Sequence, residues 1–181
     1  MENGPPVNSE LDQAWEAALA EAKRRAHAAG RTDIAEYLNL RARNDLLRRT
    51  GIDWLVNSLT ILAGEANRRG ASIQIEHQDG FRFRVGSATM VGARMTLRNG
   101  VRALNIESGW PRAPRDGFIR GGGLACAHIK HFGRPRANVE LTLMRSAKGA
   151  PQWIVKEKTG AQSPLTEARL REHFLMMLGE P

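Results

Sequence analysis

The sequence lacks most of the features that would narrow its role at once. It has a single cysteine, Cys126, in 181 residues. No internal disulfide can form, and neither a zinc ribbon nor a CxxC redox pair can be built. Its longest apolar stretch, residues 54–63, is broken by polar side chains, well short of the roughly 18 to 20 apolar residues that a membrane span needs. No transmembrane helix and no membrane partner are expected. Residues 1–6 have neither the basic start nor the apolar run of a secretory signal, so a cytoplasmic location is expected. There is no GxSxG elbow, no HExxH pair and no dinucleotide-binding glycine fingerprint after a strand, and common hydrolase and dehydrogenase chemistries gain no support. Lysine is also scarce, five of 27 cations.

Positive charge is plentiful. Lys and Arg total 27 against 19 Asp and Glu, a net charge of +8, a balance that favours nucleic acid or acidic partners. The excess is localised. Residues 71–160 carry 15 basic and 6 acidic side chains, while the other 91 residues carry 12 and 13. With 41% hydrophobic and 25% charged residues, the composition is that of an ordinary globular chain, and the length suits one domain over residues 1–181.

Along the chain, a polar lead (1–8) precedes a helical part (9–70), a basic sheet part (71–160) and a closing helix (161–181). Ser9 and Asp12 form a capping signal, and Leu11, Trp15, Ala18, Ala22 and Ala26 recur at helical spacing as far as Gly30. Asp33 and Glu36 open a second helix towards Arg49. After Thr50 and Gly51, the stripe Ile52, Leu55, Val56, Leu59, Leu62, Ala63 and Ala66 predicts a third, stopped by Gly70.

From residue 72 the apolar period changes from 3.6 to 2. Ile73, Ile75 and His77 alternate with polar residues, as do Phe81, Phe83 and Val85, with Gln78-Asp79-Gly80 between. A three-residue loop with Gly80 left-handed would pair the two runs into one apolar face, sending Arg82 and Arg84 to the other. Asn99-Gly100 predicts a second hairpin in which Met95 faces Leu104 and Ala93 faces Ile106, with Arg94 and Arg98 on the opposite side. Further strands are expected over 124–132, 139–144 and 152–156, and Ser163-Pro164 begins the closing helix with Leu170, Phe174, Met177 and Leu178 on one stripe. The expected architecture is α+β: three N-terminal helices, an antiparallel sheet of about six strands with helices on one face, and a C-terminal helix.

This layering leaves a sheet face open, where Arg82, Arg84, Arg94 and Arg98 would come together. Loop 108–123, rich in Pro and Gly, adds Arg112, Arg115 and Arg120 beside Trp110 and Phe118 and is long enough to be functional. Its glycines make no phosphate loop, because a strand rather than a helix is expected to follow. Cys126 and His128 should share one strand face and His131 the other, which leaves too few neighbouring ligands for a metal. No catalytic residue, metal or cofactor is assigned. The resulting expectation is a non-enzymatic binding or regulatory module whose seven arginines contact nucleic acid or another polyanion. The alternative is an assembly subunit that binds an acidic protein or itself as a homo-oligomer, and a third reading is an enzyme with its site at loop 108–123.

Overall fold

The structure is a computed structural model that describes residues 20–157 and 159–179. The expected capping signal at Ser9 and Asp12, together with Leu11, Trp15 and Ala18, lies outside the described residues. The chain divides into two compact units, one ending at Leu46 and the other beginning at Leu47.

In the first unit, residues 20–28 belong to helix α1. It stops at Gly30, whose φ of 69° suits a residue without Cβ. Ala26 and Ala35 are buried, and Glu21 accepts a hydrogen bond from Arg25 at 2.9 Å one turn on.

Helix α2 runs without interruption from Thr32 to Arg68, where two helices separated at Thr50-Gly51 were expected. Gly51 is not a stop. A Cβ at this position would come within 2.6 Å of Leu143 Cδ1, and the Gly51 carbonyl accepts a hydrogen bond from Trp153 Nε1 at 2.8 Å. Glycine is used here for close approach to the sheet, and the helix continues through it.

The second unit contains the sheet. Strands β1 (Gln74–Val85), β2 (Ala88–Asn99), β3 (Arg102–Trp110), β4 (Ala125–His131), β5 (Val139–Arg145), β6 (Pro151–Lys156) and β7 (Gln162–Pro164) lie in sequence order, each antiparallel to the next. Helix α3 (Glu167–Leu178) follows. The Thr166 side chain caps it by accepting from Arg169 N at 3.2 Å, while Ser163 and Pro164, expected to open this helix, belong to β7.

The expected hairpin of residues 73–77 with 81–85 does not form, because residues 74–85 are one strand, β1. Gly80 instead occupies a bulge where the pairing steps from Asp79 with Ala93 to Phe81 with Gly92, its φ of 68° accommodating the extra residue. The bulge reverses the phase of the strand. Before it, Ile73 and Ile75 face the large core with Leu97 and Met95; after it, Phe83 faces the other side with Ala88, Met90 and Cys126. The true turn is Gly86-Ser87, since Val85 pairs with Ala88.

The second hairpin is displaced by two residues. Met95 pairs with Ile106 and Ala93 with Ser108, so the loop is Gly100-Val101 rather than Asn99-Gly100. A shift of two preserves which face each side chain occupies, and Met95, Leu97, Leu104 and Ile106 all reach the core.

One face of the sheet packs on Leu55, Leu59, Leu62 and Ala63 of α2 and on Leu170, Phe174 and Met177 of α3. Each fully buried aliphatic side chain contributes about 1.5–3 kcal/mol, so this layer holds the unit together. The opposite face carries the smaller cluster of Phe83, Ala88, Met90 and Cys126, with Phe81, Val85 and Ile119 packed on it.

Candidate polyanion-binding surface

The bulge decides where the arginines go. Arg82 pairs across the sheet with Val91, and Val91 with Trp110, so Arg82 and Trp110 share the sheet face that carries the large core, at the end where β1, β2 and β3 meet. Arg84, two residues on in the same strand, has the same facing and is exposed. Arg94 and Arg98 alternate with Met95 and Leu97 and project from the opposite face. The four arginines therefore scatter over two faces instead of meeting on one.

A different set gathers round Trp110. The Arg112 guanidinium carbon lies 3.4 Å from the indole centroid and that of Arg48, from α2, lies 5.5 Å away, both within the range of cation–π attraction. Arg48 Nε donates to the Leu124 carbonyl at 2.7 Å, which fixes the position of its guanidinium. Arg112 Nε reaches the Val91 carbonyl at 3.4 Å.

Asp116 organises the loop beneath these cations. It sits at the end of the short 3-10 turn Pro114–Asp116 and is 5% exposed. Its Oδ2 accepts from the amides of Arg112 at 3.1 Å and Ala113 at 3.0 Å, and its Oδ1 from Arg82 Nη2 at 2.8 Å. Burial alone would raise its pKa, but the two amides and the Arg82 guanidinium outweigh that and lower it. Arg115 in the same turn is exposed. Asp116 thus ties Arg82 and the backbone of Arg112 together in the loop that also carries Arg115. Sequence reasoning missed Arg48, which no local pattern links to the loop, and Asp116, whose partners are mostly backbone amides.

Arg94 has another role. On the opposite face it donates to Glu107 Oε1 at 3.0 Å, while its guanidinium carbon lies 3.7 Å from the Phe81 ring centroid. Lys130 Nζ donates to Glu107 Oε2 at 2.8 Å, and His128 Nδ1 lies 3.2 Å from the same oxygen. Burial would raise the Glu107 pKa, but hydrogen bonds from His128, Lys130 and Arg94 together bring it down to about 2. Arg98 is exposed farther along β2. Arg120 belongs to a second 3-10 turn, Arg120–Gly122, on the rim of a cavity with Met90 and Cys126.

Cys126 and His128 share that face and His131 the other, as strand alternation requires. The Cys126 thiol is pushed up to about 11 by burial and by the Glu140 carboxylate. A nucleophilic cysteine needs the reverse, a thiolate favoured by a nearby cation. His131 and His173 meet at 2.9 Å between Nε2 and Nδ1, both buried. Burial, then His173 and Arg134, lower the His131 pKa to about 4, and burial and Arg169 lower that of His173.

Compared with protein-family models, with curated proteins and with solved structures, the chain matches none.

Proposed function

We propose that this chain is a non-enzymatic binding module that contacts nucleic acid through the arginine surface around Trp110. The observation that carries the reading is the pair of guanidiniums, Arg48 and Arg112, held at the Trp110 ring next to Arg82, Arg84 and Arg115. Guanidiniums fixed by ring contacts and carbonyl hydrogen bonds lose little freedom when they meet a phosphate, and their planar fork suits its oxygens. The binding strength would come from neutralising phosphates, without sequence readout. Of the seven arginines expected to take part, this reading keeps Arg82, Arg84, Arg112 and Arg115, adds Arg48, and leaves Arg94, Arg98 and Arg120 to other roles.

The test is fluorescence anisotropy of a labelled 20-nucleotide single strand across a salt series. Affinity should fall steeply with salt, and Arg82→Glu with Arg84→Glu should weaken it at least tenfold at low salt, whereas Arg98→Glu should change it less than threefold. Salt-insensitive binding, or equal losses from the two faces, would overturn the reading. An acidic protein partner is the competing outcome, met if the chain ignores nucleic acid but captures a poly-glutamate peptide through the same arginines.

A further inference from the structure

The sheet face opposite the large core contains a cavity of about 570 Å³, within the roughly 300–1,000 Å³ of small-ligand pockets. Its floor is apolar: Ala88, Met90 and Cys126 are all at most 3% exposed, and Ile119 packs against them. Cys126 lies opposite Thr142 in the β4–β5 pair. The rim is different in character. Arg120 and Lys156 stand there, both exposed. The opposing charge on the rim is Glu140, whose carboxylate lies 3.7 Å from His128 Nε2.

These two halves select a ligand with two halves. Ser87, Thr142 and Gln162 are neutral polar groups of the lining, while Val85, Phe118 and Ile119 give it an apolar wall that suits an apolar tail. Two cations against one carboxylate leave a net positive charge of one on the rim, which matches a single anionic head. We propose that this cavity binds a small amphipathic carboxylate, a medium-chain or aryl acid, with its tail on Val85, Phe118 and Ile119 and its head between Arg120 and Lys156. The site uses none of the arginines around Trp110, so it stands or falls independently of nucleic-acid binding.

Isothermal titration calorimetry of the full chain with decanoate tests this, with decyltrimethylammonium as the probe of opposite charge. Decanoate should bind, and the cation should bind at least tenfold more weakly. Arg120→Ala with Lys156→Ala, both exposed and tolerant of change, should weaken decanoate at least tenfold while leaving single-strand affinity within twofold. Phe118→Asp, at an exposed wall of the cavity, should weaken decanoate at least tenfold in protein whose circular dichroism is unchanged. Absence of decanoate binding, equal binding of the two probes, or a double variant within twofold of the parent would overturn the proposal.

Discussion

The Glu107 carboxylate accepts a hydrogen bond from Arg94 at 3.0 Å on a side chain only 3% exposed, and Lys130 and His128 complete its shell. Three strands meet in this one group: β2 supplies Arg94, β3 Glu107 and β4 the other two. Removing the carboxylate would leave Arg94 and Lys130 close together with no counter-charge. Loss of one partner from a buried ion pair costs about 3–5 kcal/mol. Lys130 and Arg94 are partly open to water, so Glu107→Ala should lose about 3 kcal/mol, at the low end of that range. A drop in the urea midpoint at unchanged slope would measure it, and a loss below about 1 kcal/mol would mean the cations simply rehydrate.

Two groups on opposite faces, His131 and Glu107, contribute most clearly to the acid response. His131 has its folded pKa lowered to about 4 from an ordinary value near 6.5, so between these values the unfolded chain binds the proton and the folded one does not. Stability should therefore fall as pH drops from about 6.5 towards 4. Glu107, lowered to about 2 from about 4.5, contributes stability that is present above 4.5 and lost as pH falls through 2. The two windows follow one another, and the loss should continue from mildly acidic pH downward. Urea unfolding at pH 7.5, 5.5 and 3.5 would show it, and His131→Gln should reduce the loss in both stretches, leaving the share of His173 and, in the lower one, that of Glu107.

The glycine of the β1 bulge gives a sharper test of the fold. Gly80 has φ of 68° and nothing within 4 Å of where a Cβ would stand, so a side chain there meets only conformational strain. Gly80→Ala should cost about 1–2 kcal/mol, and Gly80→Asn less, since Asn tolerates the left-handed region. Deleting Gly80 should leave every facing unchanged, because Asp79 still pairs with Ala93 and Phe81 with Gly92, whereas inserting one residue in the regular run after it should do far more, by slipping Phe83 towards the face now held by Arg82.

That phase reversal also explains what the sequence made legible. Alternation identified β2 to β6, split β1 in two and missed β7, and the even shift in the second hairpin left Met95, Leu97, Leu104 and Ile106 on the core side despite a misplaced loop. The Gln78-Asp79-Gly80 run is different. A left-handed glycine after Asp serves a hairpin or a bulge equally well, and only the pairing of β1 with β2 along its whole length decides between them. The choice matters for the arginines, because a hairpin at Gly80 would join Arg82 and Arg84 to Arg94 and Arg98, whereas the bulge separates them. Charge localisation in residues 71–160 was readable from composition; the grouping of Arg48 with Trp110 depends on α2 crossing the sheet, which no local pattern encodes.

Two glycines of α2 should respond in opposite directions to the same substitution. In an exposed helix interior, replacing Gly by Ala gains about 1 kcal/mol from backbone entropy alone. Gly64 should realise most of that gain, because the nearest atom to an added Cβ is the flexible tip of Arg68 at 3.7 Å. Gly51 would receive the same conformational benefit, but its Cβ would come within 2.6 Å of Leu143 Cδ1 and 2.9 Å of Cδ2. Leu143 is fully buried and cannot turn away without disturbing the core, where overpacking costs about 1–3 kcal/mol. Gly64→Ala should therefore raise stability by up to about 1 kcal/mol and Gly51→Ala lower it by about 1 kcal/mol, measured as urea midpoints side by side. Equal stabilisation by both would mean that α2 does not press on β5 at Gly51, and that the glycine is there for some reason other than close packing.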